Sequence, residues 1–117
     1  MTRNFKVSRT FRGDVVFLRL EGYLNNQGGE EVERQFKTEV ENGHKKFVLD
    51  FCKIAYINSI GISFLVGILE TTRKEDLRVC FTSLSGINEE LFEMVGLKKD
   101  TIVLRSNEEA FEFLSGP

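Results

Sequence analysis

The sequence has few of the residues that build metal centres and cross-linked frameworks. Its 117 residues include one histidine, His44, and two cysteines, Cys52 and Cys80. The cysteines lie far apart and form no Cys-x-x-Cys pair, so we expect reduced thiols in or near the core. His44 falls in a polar turn segment, where a solvated side chain is the expected role. A zinc site would have almost no ligands, and we predict neither a metal nor a cofactor.

Long apolar runs and an excess of basic charge are absent as well. The longest apolar run in the most hydrophobic helical segment covers residues 64–69 and includes Gly67, which is too short for a membrane span. The first residues lack the apolar segment of a signal peptide. A net charge of −2 gives no basic footprint of the kind that nucleic-acid binding needs. We therefore expect a cytoplasmic protein that inserts into no membrane and binds no nucleic acid.

Catalytic motifs are also missing. There is no Gly-x-x-x-x-Gly-Lys loop, and neither Ser59 nor Ser63 lies in a Gly-x-Ser-x-Gly elbow. Counting residues does not exclude a Ser-His-Asp triad, since one histidine is present. We predict that the chain is not an enzyme, and we keep an enzyme or nucleotide-binding protein as a third alternative.

What is present fits one globular domain over residues 1–117. The hydrophobic content is 41%, the charged content is 29%, and the only proline is the last residue, Pro117. Apolar and alternating runs predict strands at residues 5–11, 15–20, 47–51, 77–82 and 101–104. Periodic apolar residues predict helices at 28–40, 60–72 and 87–95, and a last helix capped by Ser106 with Glu109 completing a capping box.

The order of these elements predicts an α/β fold. Strands that alternate with helices favour a mostly parallel sheet of about five strands with four helices. The first two strands are joined by a short turn and should form an antiparallel hairpin at one edge. The strand at 47–51 is apolar on both faces and should be central. In the third helix we expect an apolar face of Ile87, Leu91, Met94 and Val95, and in the last helix we expect Ala110, Phe113 and Leu114 to dock.

Two predicted loops follow strand ends and should meet at one end of the sheet. They cover residues 21–29 and 53–59, and binding sites of α/β sheets lie outside the carboxyl ends of the strands. The loops would bring together four polar side chains: Asn25, Asn26, Asn58 and Ser59. Either Asn58 or Ser59 can cap the helix that follows. The same helix N-terminus also suits a phosphate on Ser59, so a plain cap and a phosphorylation site both remain open.

The segment from Leu49 to Ile62, LDFCKIAYINSIGI, resembles the signature of STAS domains, the anti-sigma-factor antagonists. The family pattern is roughly L-D-L-S-x-V-x-F-M-D-S-S-G-L, and the spacing here is the same without a gap. Residues 21–25 resemble the family's G-x-L-D loop, and residues 91–97 resemble its late helix with a closing Gly-Leu pair. The resemblance implies a single STAS-like domain.

Position by position, the resemblance makes Ser59 the serine that a partner kinase phosphorylates. Asn58 and Asn25 stand where the family has aspartates, Asp50 matches the strand aspartate, and Gly61 matches the glycine that lets the helix approach its neighbours. The second serine of the family pattern is replaced by Ile60. Asn58 keeps the chemistry of a cap but removes a negative charge beside the acceptor.

The resemblance implies a bacterial, cytoplasmic regulator of transcription. The unmodified protein would bind an anti-sigma factor that is also a serine kinase and so release a sigma factor. Phosphorylation of Ser59 would end binding, and a serine phosphatase would reset it. The expected partner-binding residues are Asn25, Asn26, Asn58, Ser59, Ile60, Gly61 and Ser63. The alternative is a constitutive STAS scaffold subunit of a signalling complex, in which Ser59 is a cap and is not phosphorylated.

Overall fold

Five strands form one sheet in residues 5–116, the part of the chain that the computed structural model describes. They are β1 (Lys6–Arg12), β2 (Val15–Leu24), β3 (Lys46–Ile57), β4 (Arg78–Thr82) and β5 (Ile102–Leu104). Their spatial order is β1-β2-β3-β4-β5. The β1–β2 pair is antiparallel, and the other pairs are parallel. The predicted mixed sheet with an antiparallel edge hairpin is confirmed, and β3 is its central strand.

Four helices of the described region connect or follow the strands. They are α1 (Asn26–Glu41), α2 (Ser59–Lys74), α3 (Gly86–Met94) and α4 (Asn107–Ser115), with one turn of 3-10 helix at Lys98–Asp100. The predicted order of elements is confirmed. The Ser106 side chain caps α4 by accepting from the amide of Glu109, as predicted, and Glu109 accepts from the amide of Arg105. Within residues 5–116, no helix is both long and apolar enough to cross a membrane.

The core has two layers, one on each face of the sheet. Helices α1, α2 and α3 cover one face with side chains that include Phe36, Leu65 and Phe92. Helix α4 covers the other face with Ala110 and Leu114. Phe113, which we expected to dock with them, is 44% exposed. Helix α4 is short and packs mainly over β3, β4 and β5, with Phe111 reaching Phe17 of β2. The β1 edge of this face of the sheet stays largely uncovered.

Both β2 and β3 run further than predicted. Strand β2 continues to Leu24 and β3 continues to Ile57, so most of the two expected loops is a parallel two-stranded ribbon. The register between the strands shifts twice along this ribbon. Each shift is a β-bulge that inserts one extra residue into β3, which hides the strand from a strict search for alternation. Helix α1 begins at Asn26, two residues before the predicted start.

The apolar stripe of α3 faces outward, which is opposite to our expectation. Ile87, Met94 and Val95 are 75%, 82% and 47% exposed, and only Leu91 is partly buried. The helix instead buries Phe92, whose ring packs edge-on against the rings of Phe51 and Phe81. The ring centroids are 6.0 and 5.5 Å apart, respectively. One large aromatic ring in the core therefore fixes the rotation of α3 and leaves the aliphatic stripe outside.

The two cysteines lie in different environments. Cys80 is completely buried under α4, and burial raises the pKa of its thiol to about 11. Cys52 is exposed, so the expectation of two core or near-core thiols is wrong for this residue. Cys52 falls in the stretch of β3 where the register first shifts, and it is not among the buried residues that pack against α4.

Candidate functional site

The carboxyl ends of β2 and β3 lie side by side, and a helix starts directly after each of them. Leu24 and Ile57 are register partners at the ends of the two strands. The amide of Asn58 donates to the carbonyl oxygen of Leu24 at 3.1 Å, which ties the start of α2 to the end of β2. The N-termini of α1 and α2 are therefore neighbours, as the two predicted loops required.

Each of the two helices is capped by an asparagine. The Asn25 side-chain oxygen accepts from the amide of Gly28 at 3.0 Å, and the Asn58 oxygen accepts from the amide of Gly61 at 2.8 Å. A side-chain cap of this kind satisfies one of the four amides that a helix N-terminus leaves unpaired. Of the two residues that could cap α2, Asn58 is therefore the cap and Ser59 is not.

Gly61 allows the tight contact between α2 and β2. A Cβ atom at this position would overlap the carbonyl oxygen of Leu24, a backbone atom that cannot rotate away. The predicted role of Gly61, to let the helix approach its neighbour, is confirmed. On the α1 side, Cβ atoms at Gly28 and Gly29 would meet the side chains of Phe5 and Phe64 instead.

Ser59 is the first residue of α2 and is exposed. Ile60 beside it is 48% exposed, although it is a large apolar residue. Ser63 lies one turn later, also exposed, and its hydroxyl donates to the Ser59 carbonyl oxygen at 3.2 Å. A hydroxyl and an apolar side chain therefore reach solvent together at a helix N-terminus.

The structure brings most of the predicted site residues together. Asn25, Asn58, Ser59, Ile60 and Gly61 gather where the two helices start, while Ser63 lies one turn along α2. Asn26 is the exposed first residue of α1 rather than part of a loop. Neither α1 nor α2 carries an acidic residue in its first turn. The positive ends of two helix dipoles therefore meet here without a local carboxylate to offset them.

Sequence reasoning missed two exposed aromatic residues on the ribbon. Tyr23 and Tyr56 are register partners with ring centroids 5.1 Å apart, and they are 37% and 65% exposed. It also missed the bond from the Asn88 side chain of α3 to the carbonyl oxygen of Ile54, at 3.3 Å. The aromatic pair could have been found only by aligning β2 and β3 with both bulges in place.

Asp50 lies in the middle of β3 and bonds to the start of α4, away from the starts of α1 and α2. This buried carboxylate of β3 accepts from the amide of Cys52 and from the side chain of Asn107, and it lies 3.5 Å from the Arg19 guanidinium. Burial alone would raise the pKa of Asp50. Hydrogen bonds from the Cys52 amide, the Asn107 side chain and the Cys52 thiol, together with the Arg19 charge, outweigh burial and hold that pKa below its ordinary value. Asn107 also accepts from Thr82, so the network anchors the first turn of α4 to β3 and β4.

Comparison with known proteins identifies the domain. The sequence model of the STAS domain matches residues 6–110. A candidate anti-sigma factor antagonist of Bordetella bronchiseptica, BtrV, is 26% identical over 91 residues, which is 78% of each chain.

Solved structures give the same fold. A candidate anti-sigma factor antagonist from Thermotoga maritima matches with a TM-score of 0.87 at 19% identity, over 94% of this chain and 95% of that one. The antagonist SpoIIAA in its unphosphorylated form matches with a TM-score of 0.76 at 17% identity, over 97% and 100%. The phosphorylated form of SpoIIAA, a Bacillus cell-fate determinant, matches with 0.72 at 19% identity, over 95% and 99%.

Proposed function

Because the chain belongs to the STAS domain family, we propose that it is an anti-sigma-factor antagonist switched by phosphorylation of Ser59. In the unphosphorylated state it binds an anti-sigma factor that is also a serine kinase, and a sigma factor is released. Phosphorylation ends that binding, and a serine phosphatase reverses the modification. The chain itself carries out no catalytic step in this cycle.

The observation that carries the proposal is the position of Ser59. Its side chain is exposed at the first position of α2, while Asn58 supplies the cap. The hydroxyl is therefore not committed to holding the helix, and a kinase can reach it. A bound phosphate would meet the positive end of the α2 dipole, an interaction of ~0.3–1 kcal/mol. Modification would leave the domain folded.

The surface around Ser59 fits a protein partner. Ile60 adds an exposed apolar side chain to the same turn. Helix α3 is tied to β3 through the bond from Asn88 to Ile54, and it exposes Ile87 and Met94. A partner that covers these side chains would remove their apolar surface from water, which favours binding. A phosphate brings close to two negative charges, and these would need costly desolvation when the Ile60 surface is covered.

The alternative is a constitutive STAS scaffold subunit, and it has one observation in its favour. Both residues at the positions of the family's site aspartates, Asn25 and Asn58, are neutral and are used as helix caps. A kinase that reads a carboxylate beside its acceptor serine would act poorly on this site. In that case the surface around Ile60 would bind its partner permanently.

Mass spectrometry of the protein isolated from its own cells tests the switch directly. We expect a phosphopeptide with the phosphate on Ser59 and none on Ser63, the matched serine one turn along α2. Binding to the anti-sigma factor then separates the two functions. Ser59→Ala should bind as the wild type does, and Ser59→Asp should bind at least about tenfold more weakly, a loss of about 1.4 kcal/mol.

Equal binding by wild type, Ser59→Ala and Ser59→Asp would contradict the switch and favour the scaffold. Ile60→Ser tests whether this surface binds the partner at all, without a change of charge. It should weaken binding in either case, because it removes an apolar contact from the surface.

A further inference from the structure

A concave surface lies on the face of the sheet opposite to α1, α2 and α3. It is an open pocket of about 290 Å³ beside α4, close to the lower end of the range for small-molecule sites. Its lining residues are Ser8, Thr10, Phe17, Arg19, Asp50 and Asn107. Three strands and one helix contribute to it, so the fold positions these side chains independently of any loop.

The register of the sheet explains why these residues meet. Ser8 pairs with Arg19, and Thr10 pairs with Phe17, so all four side chains project from the same face of the β1–β2 hairpin. Phe17 stacks on Phe111 of α4, with ring centroids 6.5 Å apart. The helix therefore forms one wall, the hairpin forms the floor, and two hydroxyl groups line the far side.

The polar groups that remain free in the pocket are mainly hydrogen-bond donors. The Asp50 side chain is only 4% exposed, and its oxygens already accept from Cys52 and Asn107 and face Arg19. Arg19 is 52% exposed and approaches Asp50 through Nε, which leaves the four N–H groups of its two terminal nitrogens for another acceptor. The hydroxyls of Ser8 and Thr10 can donate as well.

We infer that this pocket binds a compact oxyanion, a carboxylate or a phosphate, in the fork of Arg19 with hydrogen bonds from Ser8 and Thr10. Arginine forks bind both groups in a bidentate manner, and such charge-assisted bonds are among the stronger ones in proteins. Asp50 acts as the group that orients the guanidinium from behind. Asn107 belongs to the first turn of α4, which also carries two carboxylates, Glu108 and Glu109. Glu108 is paired with Arg12, and Glu109 accepts from the amide of Arg105.

Backbone-amide NMR spectra of the full ¹⁵N-labelled chain test the inference. The probes are sodium phosphate and sodium citrate, with sodium chloride at matched ionic strength and pH as the control. We expect saturable shifts centred on Ser8, Thr10, Arg19 and Asn107, with a dissociation constant of about 10 mM or tighter for at least one probe. Saturation by phosphate alone assigns a phosphate ligand, and saturation by citrate alone assigns a carboxylate.

Two kinds of variant make the result specific. Arg19→Gln should weaken binding at least about tenfold, whereas Lys53→Gln, a cation outside the pocket, should change it less than about twofold. Arg19→Lys keeps the charge beside Asp50 but loses the fork, so it should bind with intermediate affinity while its other signals stay at wild-type positions. Equal shifts with chloride, shifts centred away from the pocket, or wild-type affinity in Arg19→Gln would each overturn the inference.

Discussion

The N-termini of α1 and α2 share one local architecture and differ in what they present to solvent. Each follows a strand of the same ribbon, each has an asparagine cap, and each has glycine at the third helical position. Helix α1 exposes Asn26 and Gln27 at its first two positions, whereas α2 exposes Ser59 and Ile60. The two helix starts therefore share a cap and a glycine at the same spacing, and the exposed residue types make the start of α2 the candidate switch. At α2 the cap is Asn58, so the Ser59 hydroxyl is left available for the proposed phosphorylation.

The largest loss of stability should come from Gly61, and the equivalent glycine of α1, Gly28, provides the contrast. Gly61→Ala should lower the free energy of unfolding by about 3 kcal/mol, because the new methyl group overlaps the backbone carbonyl oxygen of Leu24. Gly28→Ala should cost about 1 kcal/mol or less, since the Phe5 ring can move and alanine favours the helix by about 1 kcal/mol. Urea denaturation of both variants measures the difference. Equal losses would show that the α1 start is as rigidly packed as that of α2.

The start of α4 differs from those of α1 and α2, because a charged group, the Asp50 carboxylate, holds it. Asp50→Asn should reduce stability at pH 7 by about 2 kcal/mol, because hydrogen bonds to the buried carboxylate are weakened. The pKa of Asp50 is lowered by folding, so its contribution is present above the ordinary value near 3.9 and is lost as the pH falls through the folded-state pKa.

The pH dependence supplies the measurement. Thermal unfolding between about pH 5 and pH 2 should show a steeper loss of stability in the wild type than in Asp50→Asn. If Asp50→Asn and the wild type lose stability in parallel over this range, the carboxylate network does not hold α4.

The two caps should be nearly equivalent in energy. Asn25→Ala and Asn58→Ala should each cost about 1 kcal/mol, since each removes one bond to an otherwise unpaired amide. Matched denaturant titrations give the two values. A much larger loss for Asn58→Ala would mean that its side chain also helps to hold the ribbon, beyond its backbone bond to Leu24.

The smallest effect on stability should be at Ser59 itself. Ser59→Ala should change the free energy of unfolding by less than about 0.5 kcal/mol, as expected for an exposed residue without a structural bond. Ser59→Asp should be neutral or slightly stabilising, by ~0.3–1 kcal/mol at low salt, because it places a negative charge at the helix N-terminus. A loss near 1 kcal/mol in Ser59→Ala would indicate that the hydroxyl shares the capping role with Asn58.

Much of the fold could be predicted because apolar periodicity reports directly on burial. The order of strands and helices followed from this periodicity, and so did the central place of β3. The meeting of Asn25 with Asn58 followed from the rule that parallel strands end at one edge of the sheet. These features depend on local patterns that the chain carries in each segment.

What could not be predicted depends on choices between competing side chains. Both Asn58 and Ser59 are good caps, and the bond from Asn58 to Leu24 decides between them only when the sheet is assembled. In α3, Phe92 competes with the stripe that includes Ile87 and Met94, and the contacts with Phe51 and Phe81 decide which side faces the core. The ribbon was missed because its two bulges interrupt the alternation that marks a strand.

The two thiols differ in burial, so the rate at which a thiol reagent labels them would report local opening of the fold. Cys52 is exposed and should react with a thiol reagent first, although desolvation and the neighbouring Asp50 raise the pKa of its thiol, whereas Cys80 is sealed between the sheet and α4. A high thiol pKa slows Cys80 further, because the thiolate is the reactive form. The slow labelling phase would therefore time how often α4 lifts from the sheet, on the native molecule and without denaturant.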